Sequence, residues 1–220
     1  MHLLVLGATG PCGVQLIQEA LSTSHSVVIY ARSPQKLPDS ITSHSSVFVV
    51  KGELGNVELL SQAMAGVDAV LSALGPAVKS GPFHPSDTPL ARAYAAIIDV
   101  MKKCGVKRLI ALGTASIKDD RDKFSLEFVA LVSGVALFAR SAYKDVVAIG
   151  ETIRAQGDGL EWTIARVPIL TQNEKRDVLA GYIGDGTTKT TLARAGFAAF
   201  VINEVEKNEW CGKAPLISSP

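Results

Sequence analysis

The sequence is poor in the features that mark several protein classes. Only 6% of its 220 residues are aromatic, and its three cysteines, Cys12, Cys104 and Cys211, are odd in number and widely separated. That spacing offers neither a disulfide framework nor a metal-ligand cluster, and it suits a reducing compartment. Charge of one sign is lacking too. Twenty-two Lys and Arg against 21 Asp and Glu leave a net charge of +1, without the basic excess of a nucleic-acid binder. The most apolar stretch, Phe128 to Ala139, falls short of the ~18 residues of a membrane span. The opening MHLLVLGATG has no basic segment before its apolar run, so a buried strand is expected there rather than a secretion signal. These absences lead us to expect a cytoplasmic monomer or homodimer with no nucleic-acid or membrane partner and no metal.

What is present is an aliphatic core, with 47% hydrophobic residues, in a chain of the length of one large domain. Short apolar runs alternate with longer segments of helical period. Leu3 to Leu6, Val27 to Ala31, Val47 to Val50, Ala69 to Ala73, Leu109 to Leu112 and Trp162 to Ala165 are predicted strands buried on both faces, with a seventh at Pro215 to Ile217. Val14, Ile17 and Leu21 share one helical face, as do Val57, Leu60 and Met64, and Tyr94, Ile97, Ile98 and Met101. Pro11 suits the first turn of a helix, and Gly105 a left-handed helix end. The link Arg32 to Ser46, with two prolines and five serines, has room for a short helical turn at most. The expected fold is a single α/β, Rossmann-like, doubly wound and mostly parallel sheet of six to seven strands with helices on both faces. Beyond Ser116 the regularity fades. A charged turn KDDRDKF, one long helical stretch to Ala155, a loop QGDG and a closing helix bearing Leu192, Phe197, Phe200, Val201 and Val205 are expected. Residues from about 117 onward would supply most of the substrate wall.

Immediately after the first strand stands GATGPCG, with Gly7, Gly10 and Gly13 spaced as in a dinucleotide-binding turn that opens a helix. Gly7 would allow the tight turn, Gly10 the approach of a pyrophosphate, and Gly13 close packing of helix on strand. The helix N-terminus favours the anion without a lysine. The second strand ends YARSP. Where an NAD-binding chain carries a ribose-binding acid, this one offers Arg32 and Ser33, with Lys36 nearby, a pattern that favours the 2′-phosphate of NADP(H).

With GATGPCG, ARSPQKLP, MAGVDAVLSALG, GVKRLIALGTAS and LEWTIARVPIL, the chain resembles the NmrA-like, NAD(P)H-binding branch of the atypical short-chain dehydrogenases over nearly its whole length. Within that branch the nearest pattern is the biliverdin reductase B and flavin reductase group. The resemblance implies cofactor phosphates on Thr9, Gly10, Pro11, Cys12 and Gly13, the 2′-phosphate at Arg32, and adenine beside Glu53 and Leu54. It further implies ribose contacts at Leu74 and Gly75, nicotinamide near Thr114, and Pro168 with Ile169 closing over the carboxamide. Three departures stand out. No Tyr-x-x-x-Lys occurs, since Tyr143 is followed four residues on by Val147 and Tyr94 by Ile98. Ile169 stands where the biliverdin and flavin reductase group has a histidine, and Gly196 replaces an aspartate common in the wider family.

The expected activity is hydride transfer from NADPH to a hydrophobic conjugated or carbonyl small molecule such as a flavin, quinone or polyketide. An NADP-sensing regulator without catalysis, or a non-redox isomerase or cyclase, is the alternative. Thr114 is the first candidate to stabilise charge on a substrate oxygen, with Ser116 able to substitute. Tyr143 and Lys144 are candidate proton donors. His84, in GPFHPSDTP, is expected to be a solvated loop histidine. Cys12 is expected to be a small residue packed under the cofactor rather than a reactive thiol. The stretch Phe124 to Phe138 has three readings: a pocket roof, a subunit contact or plain core.

Overall fold

Six of the apolar runs become parallel strands of one sheet. In the computed structural model, which describes residues 1–76 and 83–220, β1 (His2–Leu6), β2 (Ser26–Ala31), β3 (Val47–Lys51), β4 (Ala69–Ser72), β5 (Arg108–Thr114) and β6 (Glu161–Val167) run parallel in the order β3-β2-β1-β4-β5-β6. The chain reverses its direction of winding at β1, between β2 and β4. That switch point lies at the C-terminal ends of the strands, where doubly wound sheets bind ligands.

Alternate residues of each strand feed two cores. Leu3 and Val5 of β1 face α1 (Pro11–Ser22), whereas Leu4 and Leu6 face the opposite layer. That layer holds α3 (Val57–Ala63) and α4 (Pro89–Cys104). The expected punctuation is present. Pro11 is the first residue of α1, and Gly105 ends α4 at φ 74°. The Arg32 to Ser46 link contains a 3₁₀ turn and the single-turn α2 (Asp39–Thr42).

Several details differ from expectation. β3 is an edge strand, with Phe48 57% and Val49 39% exposed rather than buried on both faces, and the link before it offers only the single turn of α2 to cover it. The long helical stretch breaks at Ala139, whose φ of −138° is not helical, into α5 (Leu126–Phe138) and α6 (Arg140–Gln156), which meet at 118°. Neither proline nor glycine marks this break. Among the described residues no single helix is long and apolar enough to cross a membrane. Three-residue strands too short to show a period follow β6: β7 (Ile169–Thr171), β8 (Leu179–Gly181) and β9 (Thr191–Ala193). β7 and β9 form a separate parallel pair. Leu192 belongs to β9, so the closing helix α7 starts at Arg194 and runs to Lys207, packed along α1. β10 (Leu216–Ser218) joins β6 in parallel and pairs with the antiparallel β8, extending the main sheet to eight strands.

Buried charge holds this second part together. Arg166, fully buried on β6, donates two hydrogen bonds to Asp122 (2.6 and 2.8 Å), one to the Ile117 carbonyl (2.8 Å) and one to the Ala214 carbonyl (2.6 Å). Asp122 also accepts from the Ile183 amide at 3.1 Å. One guanidinium thereby ties the loop after β5 to β6, to the approach to β10 and to the turn after β8. At the other end of the sheet, Arg108 donates to Glu204 (2.6 Å) and Thr163 (2.9 Å), anchoring the end of α7.

Candidate cofactor-binding site

The glycine turn is fixed by close backbone approach. Gly7 has φ +72°, and a Cβ there would lie 2.6 Å from the Ala73 carbonyl carbon. A Cβ on Gly13 would lie 2.3 Å from the Gly7 carbonyl oxygen. Both positions exclude any side chain. Gly10 differs: its φ is −81°, and a Cβ would make only an ordinary 3.4 Å contact with the Gly7 oxygen. Packing within the chain therefore leaves this surface bare where a Cβ would stand between helix start and ligand. Gly10 caps α1 without a side-chain hydrogen bond, and no acid lies in the helix's first turn. The exposed amides and the helix dipole make this end an anion seat. The residues present fit a dinucleotide pyrophosphate.

Next to the turn lies a cavity of about 570 Å³ at the switch point. Gly7 and Thr9 form one side, and Arg32, Ser33 and Lys36 stand at the end of β2. Glu53, Leu54 and Leu74 complete the far side. The loop carrying Glu53 and Leu54 is held by the Tyr30 hydroxyl, which donates to the Glu53 carbonyl at 2.8 Å. Burial raises the Tyr30 pKa, and the nearby Glu53 charge adds to the effect, so the phenol stays protonated. Sequence reasoning missed the fourth side, where Leu90, Arg92, Ala93 and Ala96 of α4 line the cavity. The small residues Ala93 and Ala96, three apart on one helical face, were the available signal.

The C-terminal ends of β5 and β6 bring Thr114 beside Val167, next to Pro168 and Ile169. The Thr114 hydroxyl oxygen accepts a hydrogen bond from the Ser116 amide at 3.2 Å, and the Thr114 carbonyl accepts from the Ile117 amide. This is the local turn bond open to a strand-end threonine. It uses an oxygen lone pair and leaves the hydroxyl proton available. Ser116 is 5% exposed. Gly75 follows Leu74, and an added Cβ there would approach Leu112 at 3.5 Å. Ile169 is 50% exposed.

Tyr143 and Lys144 lie in the first turn of α6, half-buried and exposed respectively. The residue that matters structurally is their neighbour. Asp145, with no exposed surface, accepts hydrogen bonds from the Leu90 and Ala91 amides (3.1 and 2.9 Å) and contacts His84 Nε2 at 2.8 Å. It thereby caps α4, whose own cap residue Thr88 has φ 49° and makes no side-chain cap. His84 is not solvated as expected: its side chain is 8% exposed because Asp145 draws it in. Gly81 and Pro82 of the same motif lie outside the described residues.

Cys12 is buried, and burial pushes its thiol pKa up despite the opposing Arg194 guanidinium beside it, which suits the packing role rather than a reactive thiolate. Gly196 packs between Leu192 and Val178, each 3.2 Å from where a Cβ would be. An aspartate there would force these apolar neighbours apart.

Residues 7–208 match the NAD(P)H-binding family. The chain belongs to that family. It is 26% identical over 216 residues to the oxidoreductase aflX of Aspergillus parasiticus, covering 93% of this chain and 77% of that protein. It is 26% identical over 201 residues to an uncharacterized Saccharomyces cerevisiae protein, covering 85% of this chain but 64% of that protein's length. With isoeugenol synthase 1 of Clarkia breweri, identity is 30% over 125 residues, which is 53% of this chain and 36% of the synthase. The fold is shared with a short-chain dehydrogenase/reductase of Veillonella parvula solved in complex with NADP, at a TM-score of 0.81 and 17% identity, covering 100% of this chain and 94% of that one.

Proposed function

We propose that the chain is an NADPH-dependent oxidoreductase that reduces a flat, conjugated or carbonyl-bearing small molecule of the flavin, quinone or polyketide kind. The observation that carries this reading is the cavity at the switch point, with a bare, uncapped glycine turn at one side and Arg32 and Lys36 at the end of β2. The charge pattern favours a 2′-phosphate over a free ribose. Membership of an NAD(P)H-binding family and the oxidoreductase name of the Aspergillus relative support the redox reading.

When bound, NADPH supplies a hydride, two electrons with one proton nucleus, to an electrophilic carbon or ring nitrogen of the acceptor. The chain's own residues do the rest. Gly7 to Gly13 would hold the central pyrophosphate and Arg32 the 2′-phosphate, which together orient the dinucleotide. Thr114, with its hydroxyl proton free, donates a hydrogen bond to the acceptor oxygen as negative charge develops. Ile169, replacing the histidine of the biliverdin and flavin reductase pattern, gives the closing segment an apolar surface. Phe128 of α5 packs against Ala115, next to Thr114, and so attaches the largely exposed apolar helix on the substrate side.

The test follows NADPH absorbance and fluorescence with the protein alone and then with flavins, quinones and aromatic ketones. Tight NADPH binding, weaker NADH binding and consumption that needs both protein and acceptor are expected. Binding without consumption across the panel would replace this reading with the sensing regulator. No binding of either dinucleotide would overturn it.

A further inference from the structure

Helix α7 starts at Arg194, and Glu204, ten residues on, is bonded to Arg108 at the start of β5. At 1.5 Å per residue this places Arg194 about 15 Å away, toward the C-terminal ends of the strands, where α1 also begins. The two helices pack along each other, sharing Cys12, Leu16, Phe197 and Val201 in one core. The Arg194 guanidinium stands beside the Cys12 thiol, in the first turn of α1.

This arginine has no carboxylate counterion among the described residues. Among the described residues, Arg92, Arg108, Arg121, Arg154, Arg166 and Arg176 each pair with a carboxylate, whereas Arg194, like Arg32 and Arg140, does not. A neutral thiol is no counterion. Arg194 is also half-buried and sits at a helix start, where the dipole disfavours a cation. Neither α1 nor α7 has a side-chain cap or an acid in its first turn. The arrangement holds uncompensated positive charge at the place where the glycine turn exposes its amides.

We propose that Arg194 is a cofactor-binding residue, a cationic clamp from the last helix that holds the dinucleotide pyrophosphate seated on Gly10 to Gly13. This rests on the NADPH reading above. It adds to the glycine turn a contact from a segment some 180 residues away, and it divides the labour between two arginines. Arg32 answers to the 2′-phosphate, which NADPH has and NADH lacks, whereas Arg194 answers to the pyrophosphate both share.

The experiment measures NADPH and NADH affinities by fluorescence titration for the wild-type chain, Arg194→Gln, Arg194→Lys and Arg32→Ala, with thermal melting of each without cofactor. Arg194→Gln is expected to weaken both dinucleotides alike, by about tenfold or more, the scale of a lost hydrogen bond to a charged group. Arg194→Lys restores part of the loss, since a point charge remains without the planar fork. Arg32→Ala weakens NADPH alone. The cofactor-free melting temperature of Arg194→Gln is expected to hold or rise, because an unpaired cation at a helix start is removed. Unchanged affinities, a loss confined to NADPH, or a lowered melting temperature without rescue by lysine would each overturn the assignment. A wild-type chain that binds neither dinucleotide would instead overturn the functional reading on which it rests.

Discussion

Residues 1 to 114 and residues 115 to 220 are held together by different physics. The first part is a set of parallel strands in continuous register, with fully buried Leu3, Leu4, Leu6, Ile29 and Leu71 and amphipathic helices over both faces. In the second part, three-residue strands and broken helices are joined to one another and to the first part by directed polar bonds: Arg166 with Asp122 within it, and Arg108 with Glu204 and Thr163, and His84 with Asp145, across to it. A layer built on apolar burial tolerates exchange of similar side chains. A layer built on directed bonds depends on single groups. The family's shared cofactor turn lies in the first kind of structure, and the segments expected to contact substrate lie in the second.

The sharpest way to break this contrast is Arg166→Ala. It removes the four hydrogen bonds of a fully buried guanidinium and leaves the half-buried Asp122 without its cation, so a loss of about 3–5 kcal/mol is expected in urea unfolding. A loss below about 1 kcal/mol would show that the second part does not rest on that guanidinium. In the first part, Gly13→Ala puts a Cβ 2.3 Å from the Gly7 oxygen. A cost of roughly 1–3 kcal/mol from overpacking is expected, together with weakened dinucleotide binding as α1 moves off the turn. Intact binding would mean the turn adapts.

Thr114→Ala should lower turnover about tenfold with little change in cofactor affinity, because the proposed bond strengthens in the transition state. Parallel steady-state kinetics and titration check this. The smallest effect is a pH dependence. Burial alone would raise the Asp122 pKa, but the hydrogen bonds and charge of Arg166, with the Asp119 and Ile183 amides, hold it below the usual carboxylate range. A carboxyl depressed in the folded state contributes stability that is fully present above its unfolded pKa and is lost as pH falls through the folded one. Urea midpoints should therefore decline below about pH 4, and the part of that decline due to Asp122 should vanish in Asp122→Asn.

The same contrast explains what the sequence reveals. Strands such as Val27 to Ala31 and Leu109 to Leu112, and the face Tyr94, Ile97, Ile98 and Met101, stand out because burial repeats with the period of the element. The glycine turn is legible because its constraint is local. The break at Ala139 is not, since no proline or glycine marks it and both flanking segments favour helix. Strands β7, β8 and β9 are too short to carry a period. Asp145 capping α4, and Arg194 reaching α1, are contacts between residues 54 and 182 positions apart, and only the folded chain brings them together.

The capping of α4 by Asp145 has a consequence for synthesis. Residues 1 to 114 contain the glycine turn, Arg32 and every other group lining the cavity, yet the amides of Leu90 and Ala91 find their acceptor only in α6. During translation the first helical turn beside the cavity lacks its partner until residue 145 has cleared the ribosome. Loading of the nascent chain with nucleotide should therefore lag well behind completion of the five strands β1 to β5, arriving with the half of the protein that does not line the cavity.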